Sequence, residues 1–197
     1  MKKLFTYLFF IIFSFQTPSL ADDIRDFQIE GLSVGDSLLD YYSKDEIIKN
    51  YRTTKFKKKL FILSEFNKYD SKLKFETYDR VQFYIKSNDK NYKIYQIRGL
   101  IFPIKFDECK KKQDEILSEL DDLFKNEKGV NKSRIKAHVH AADPKSTLRK
   151  VYYYFSSGGQ ISVTCADYST INRWPDELSI SVSSKEFADF LNNKAYK

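Results

Sequence analysis

The stretch 107–124, DECKKKQDEILSELDDLF, leaves little choice of local structure. Cys109, Gln113, Ile116, Leu117, Leu120, Leu123 and Phe124 recur at three- and four-residue steps, which on a helix gathers them into one stripe. Lys110, Lys111, Asp114, Glu115, Glu119 and Asp122 fall mostly on the other side, and Asp107 stands where an N-cap belongs. A one-sided helix has to bury its stripe against something, and strand-like runs flank it on both sides. The expected architecture is α+β: an antiparallel sheet of about five strands with helices packed on one face.

The strands are legible by alternation. In Tyr78–Ile85, Val81, Phe83 and Ile85 share one side while Arg80, Gln82, Tyr84 and Lys86 take the other. The turn-forming run 87–91 and the return 92–100 complete a hairpin, and Pro103 in GLIFPIK suits the close of a strand or an edge. After the helix, 127–132 reads as a polar loop with Gly129 as a stop. Residues 135–139 read as a strand with Ile135, Ala137 and Val139 inward. Residues 151–155, the turn Ser156-Ser157-Gly158-Gly159 and 160–166 form a second hairpin with Ile161, Val163 and Cys165 on one side. Residues 177–183 repeat the scheme with Leu178, Ile180 and Val182, and Ser183 with Glu186 reads as a capping box for a last helix burying Phe187, Phe190 and Leu191. The turns after Ile85 and Phe155 are too short for the crossovers that a parallel sheet needs.

The amino terminus belongs to export rather than to the fold. Lys2 and Lys3 precede an apolar run over 4–15 that is too short to span a bilayer, and Ser19-Leu20-Ala21 is a small-x-small cleavage site. Residues 1–21 are therefore read as a signal peptide, leaving 22–197 as one domain, exported and soluble, in the periplasm. No cysteine stands at the cut to carry a lipid, and no later run is apolar enough for a transmembrane helix. Losing the two lysines lowers the formal charge from +7 to +5. The basic excess is lysine-rich in a chain whose composition suggests A+T-biased coding, not the arginine-rich surface of base readout, so nucleic acid is excluded as a partner.

From Asp22 the chain gives a short strand around Phe27 and Ile29, a break at Gly31, and a helical turn from Ser33 or Gly35. Ser43 with Glu46 is a capping box opening a short helix that carries Ile47 and Ile48. Gly35-Asp36-Ser37 has the make-up of an anion nest; we read it as a helix start whose N–H groups are satisfied by Asp36 and Ser37. The segment IEGLSVGDSLLDYYSKDEI (29–47) resembles the opening of a family of small uncharacterised exported bacterial proteins, and HAADPKS (140–146) and ISVTCADYS (161–169) resemble its remaining landmarks. That resemblance implies export and supplies no activity or catalytic residue. The opening is also similar in pattern to small periplasmic modules of the outer-membrane assembly and β-lactamase-inhibitor classes.

Four groups of residues invite chemistry. In RTTKFKKK (52–59), Lys55, Lys57, Lys58 and Lys59 are interleaved with Phe56 and flanked by Tyr51 and Phe61. That pattern fits an anionic lipid, a glycan or another envelope partner, and it equally fits a solvated face whose aromatics turn inward. His138 and His140, at i and i+2 on a strand, share a face and could grip a metal with Asp143 as a third ligand. A fourth ligand and a general base are lacking, so we expect no metal and no cofactor. A small metal-dependent or other hydrolase at this pair is the alternative function. Trp174, the only tryptophan, lies in a loop before Pro175 and is either a ligand platform or a plug over the core; the plug is the reading adopted. Tyr152, Tyr154, Ser162, Thr164, Ser179 and Ser181 share the sheet's second face, where they are either a binding surface or ordinary solvent-facing residues.

The cysteine pair is the firmest expectation. Cys109 lies on the helix stripe and Cys165 on the inward strand face, so both point into one helix–sheet interface. Only one pairing exists, and an exported protein folds under oxidising conditions. The rivals are two buried free thiols or a redox cysteine at a helix start. GxSxG, HExxH, SxxK and a glycine-rich phosphate loop are all absent. The chain reads as a non-catalytic protein that works by binding.

Overall fold

The computed structural model describes residues 24–69, 72–133, 136–140 as a strand without side-chain detail, 143–170 and 174–197. The expected signal segment and Ile135 lie outside the described residues. The chain is a mixed α+β fold dominated by strands. A two-residue hairpin, β1 (Gln28–Ile29) and β2 (Leu32–Ser33), opens it. Glu30 and Gly31 form its turn with φ of 54° and 79°, the left-handed backbone that such tight hairpins use. The Glu30 carboxylate is held by the N–H groups of Glu76, Thr77 and Tyr78 at 2.8–2.9 Å, which ties the hairpin to a distant loop.

Ser37 caps a 3-10 turn over Leu38–Asp40 and Asp36 Oδ2 accepts from Ser33 N at 2.8 Å, but Gly35 N is not satisfied within the turn as expected: it donates to the distant Ile94 carbonyl at 2.9 Å, and Asp36 N donates to the Ser33 carbonyl at 3.3 Å. Helix α1 (Lys44–Lys49) begins with the expected capping box of Ser43 and Glu46 and buries Ile47. Then come β3 (Tyr51–Arg52), β4 (Phe61–Asn67), β5 (Arg80–Lys86), β6 (Ile94–Ile101), α2 (Phe106–Leu123), β7 (Val130–Lys132), β8 (Lys136–His140), β9 (Asp143–Phe155), β10 (Gln160–Asp167), β11 (Glu177–Ser183) and α3 (Lys185–Asn193).

The main sheet runs β3-β4-β5-β6-β11-β10-β9-β7, eight strands, with a ninth, β8, pairing with β9 beside β7. Every pairing is antiparallel. The expected five strands were too few. The missed β3 and β7 are two- and three-residue edge pieces in polar sequence, and β4 is buried on both sides, so none shows alternation. For the same reason 127–132 is not wholly loop: its end pairs with Tyr153–Phe155.

Register sorts the side chains onto two faces. Val81, Phe83, Ile97, Ile180, Val182, Ile161, Val163, Val151 and Tyr153 line one of them and are all buried. Helix α2 packs here through Cys109, Gln113 and Leu117. Gln113 Nε2 donates to the carbonyls of Arg149 and Val163, both at 2.9 Å, and Tyr153 OH donates to Asp121 Oδ1 at 2.8 Å. The Cys109–Cys165 disulfide is formed, with its Cα atoms 5.8 Å apart. Cys109 is in the first turn, where the helix end dips toward the sheet, and that meets the reach of a disulfide. Gly99 leaves room for the buried Tyr78 ring, since a Cβ there would come within 2.4 Å of it.

Two caps differ from expectation. The N-cap of helix α2 lies two residues earlier than expected, at Lys105 with no side-chain cap, while Asp107 pairs with Lys110 inside the first turn. Ser184, not Ser183, caps α3; Ser183 ends β11 and accepts from Gln96 Nε2 at 2.6 Å. Helix α3 forms a second, smaller apolar cluster with Phe56 and Phe61, its Phe187 ring 4.7 Å from that of Tyr84.

Candidate binding site on the polar face of the sheet

On the second face, register aligns four adjacent strands. Strand β9 supplies Lys150, Tyr152 and Tyr154; β10 supplies Ser162 and Thr164; β11 supplies Ser179 and Ser181; β6 supplies Gln96 and Arg98. Tall side chains on β9 and β6 thus stand about 14 Å apart, three strand spacings, across a floor of short hydroxyl residues. The floor is not open to solvent, contrary to the solvent-facing expectation: Ser179 is 2% exposed, Thr164 6% and Ser181 7%. Its larger neighbours cover it, and Ser162 alone of the four is half-buried.

Arg98 is the hub. It lies in a central strand, where a guanidinium cannot escape over a sheet edge, and it forms an ion pair with Glu177 and a 3.0 Å hydrogen bond to Ser179 Oγ. It also bonds the Tyr168 hydroxyl. Burial opposes its charge, yet the neighbouring Glu177 carboxylate leaves it held as a cation above the ordinary arginine value. Burial, then Glu177, pushes the Tyr168 hydroxyl up to about 12. Two strands away on β4, Glu65 takes Gln82 Nε2 of β5 at 2.7 Å and faces Arg52 and Arg80 at 3.4 Å. Gln82 Oε1 is buried with no partner among the described residues.

Lys150 is different. It is half-buried, and its ammonium makes no hydrogen bond or ion pair within 4 Å to a described residue. Burial, and then Arg98, lower its pKa from the ordinary lysine value, with Glu177 acting the other way.

Aromatic rings border this polar ground on two sides. Tyr152 and Tyr154 stack at 5.6 Å with their planes 18° apart, and Tyr154 is exposed. Across from them Trp174 meets Tyr168 edge-on at 5.3 Å, with Lys55 Nζ 5.0 Å from the Trp174 ring centre. Trp174 is 44% exposed, so it is no plug over the core; Lys55 and Tyr168 support it as a surface platform.

Of the residues expected to bind, the structure therefore brings Lys55 to Trp174 and Tyr152 to Tyr154, the two pairs linked through Arg98, whose charge acts on both Tyr152 and Tyr168. Lys57, Lys58 and Lys59 do not join them. They are exposed, Lys59 bonds the Thr54 carbonyl, and Phe56 and Phe61 turn inward as the solvated-face reading has it. His138 and His140 lie on β8, and the orientation of their side chains falls outside the described residues. The carboxylate of Asp143 accepts from Ser169 Oγ at 2.6 Å and from Ser146 Oγ. Among the described residues no group of three or more His, Cys, Asp or Glu could hold a metal.

Sequence reasoning missed Arg98, Glu177, Lys150 and Tyr168. The signal for Arg98 was present: a charge in the middle of IYQIRGLI, among residues that otherwise suit a buried strand. No family model, curated protein or solved structure matches the chain.

Proposed function

We propose that the protein is an exported, non-catalytic binding protein whose ligand rests on the polar face around Arg98, between the Tyr152–Tyr154 stack and Trp174. One observation carries this reading. A guanidinium fixed by Glu177 and Ser179 in a central strand is ringed by tyrosines from separate elements, with an exposed tryptophan at the rim. Folding alone needs none of this, because a half-buried ion pair contributes little net stability against apolar residues of similar volume. Convergent polar groups flanked by aromatics are the usual make-up of a ligand site. A formed disulfide fits an oxidising compartment such as the periplasm, and among the described residues no helix is long and apolar enough to cross a membrane.

The test is native mass spectrometry of the mature chain after incubation with an envelope extract, beside Ser162→Trp, which fills the accessible part of the floor. A retained small-molecule or oligomer adduct that Ser162→Trp loses is the expected result. An adduct indifferent to that substitution, or none at all, would refute the reading.

A further inference from the structure

We propose that the ligand of this polar face is an acidic carbohydrate, its carboxylate paired with Lys150 and its ring laid against Tyr152 and Tyr154; the inference rests on the binding role proposed above. Register makes Lys150 and Thr164 cross-strand neighbours, with Tyr152 and Ser162 the next pair on the same face. These four side chains form a contiguous square of one ammonium, three hydroxyls and one aromatic ring. Three of them have a use on a sugar acid, Thr164 being buried beneath them. The hydroxyls of Ser162 and Tyr152 match ring hydroxyls, the paired tyrosine rings present a flat surface to the C–H face of a pyranose, and the ammonium takes the acid.

Charge sets the sign of the ligand. Lys150 and Arg98 are two cations with Glu177 the one carboxylate between them, and Arg98 is already bonded to it. Among the described residues one positive charge remains without a counter-ion, in a setting where solvent is partly excluded and an ion pair gains strength. On β8, Lys136 is the register partner of Lys150, so the neighbouring strand brings no carboxylate at that position. An incoming carboxylate completes the balance, whereas a neutral sugar would leave Lys150 as it is. A lipid headgroup would meet the same charge, but among the described residues the register neighbours of Lys150 are Ser162, Thr164 and Tyr152, hydroxyl-bearing ground rather than an apolar slot for an acyl chain. A long polyanion would need a track of unpaired cations, and Arg98, Arg80 and Arg52 each have a carboxylate.

The test is calorimetric titration of the mature chain, exported so that its disulfide forms, with trimers of galacturonate and mannuronate, the neutral trimers of galactose and mannose, and phosphatidylglycerol vesicles. At least one acid trimer should bind ten times or more tightly than its neutral counterpart. Lys150→Met should weaken that binding at least tenfold, Lys150→Arg should keep most of it, and Lys57→Met, outside this polar face, should leave it unchanged. Circular dichroism identifies any variant that has failed to fold, and the Arg variant then carries the comparison. Equal binding of acid and neutral trimers, undiminished binding by Lys150→Met, binding to vesicles alone, or no binding of either acid trimer would each overturn the inference. The binding role itself fails separately, by the Ser162→Trp adduct experiment.

Discussion

The two faces of one sheet are built from the same strands, residue by alternate residue, and they differ in almost every physical respect. On the face under α2, Ile161, Val163 and Cys165 meet Leu178, Ile180 and Val182, and the main polar intrusion is Gln113, whose Nε2 bridges two carbonyls while its Oε1 has no partner among the described residues. That composition is what folding asks for: apolar burial, a crosslink and a satisfied backbone. On the other face the same strands present Ser162, Thr164, Ser179 and Ser181 beside the Arg98–Glu177 ion pair and a lysine with no partner among the described residues. Burying Arg98 and Lys150 costs desolvation that apolar side chains would avoid. The lesson is that apolar burial is concentrated on one face, which leaves the other to carry the polar groups on which the proposed binding role rests.

The largest break in that contrast should come from the crosslink. Replacing both Cys109 and Cys165 by Ala opens a loop spanning 56 residues and should lower stability by about 4 kcal/mol, read as a drop in the urea midpoint. Gly99→Ala comes next. Its Cβ would press on the Tyr78 ring, which is closed in on all sides, and overpacking of this kind costs about 1–3 kcal/mol in thermal or urea unfolding. On the polar face, Glu177→Gln should cost about 1–2 kcal/mol, because Arg98 keeps Ser179 and Tyr168 but loses its counter-ion. Ser162→Ala should change stability by no more than about 0.5 kcal/mol while weakening ligand binding, the separation of fold from function that the two faces imply.

The smallest effect is a pH dependence. In the folded chain Lys150 has a lowered pKa, caused first by burial and then by Arg98, so it releases its proton while the unfolded chain still holds one. Where the unfolded state binds more protons, stability increases with pH; it should therefore rise as the pH climbs from below the folded-state value toward the ordinary lysine value. Urea midpoints across that alkaline range should show the rise, and Lys150→Met should remove it. Arg98, Glu177 and Tyr152 face the ammonium, and an acidic ligand reverses the sign by favouring the charged lysine, so its affinity should fall over the same range.

Much of the first face was legible in the sequence and much of the second was not, for a physical reason. Cys109, Gln113 and Leu117 recur at helical spacing, and Ile161, Val163 and Cys165 alternate, so periodicity alone yielded the helix, the sheet face and the direction of both cysteines. Periodicity speaks of burial, and the polar face uses residues that elsewhere face water. Nothing in the spacing of Ser179 and Ser181 says that Arg98, about 80 residues away in the chain, will fold over them; that depends on strand order, with β11 beside β6. Trp174 was visible as an odd residue, but its support by Tyr168 and Lys55 depends on two loops meeting. The short edge strands β3 and β7 carry too few residues to show any period.

Trp174 is the chain's only tryptophan and gives a single indole N–H resonance beside Tyr168. The most direct test is to follow that resonance, with the backbone amides, while the compound retained from the envelope extract is titrated into the isotopically labelled mature chain. The account predicts saturable shifts of the Trp174 indole and of amides around Tyr152, Ser162 and Thr164, with the α2 amides around Gln113 and Leu117 unmoved. Shifts concentrated on α2, with a silent Trp174 indole, would contradict it.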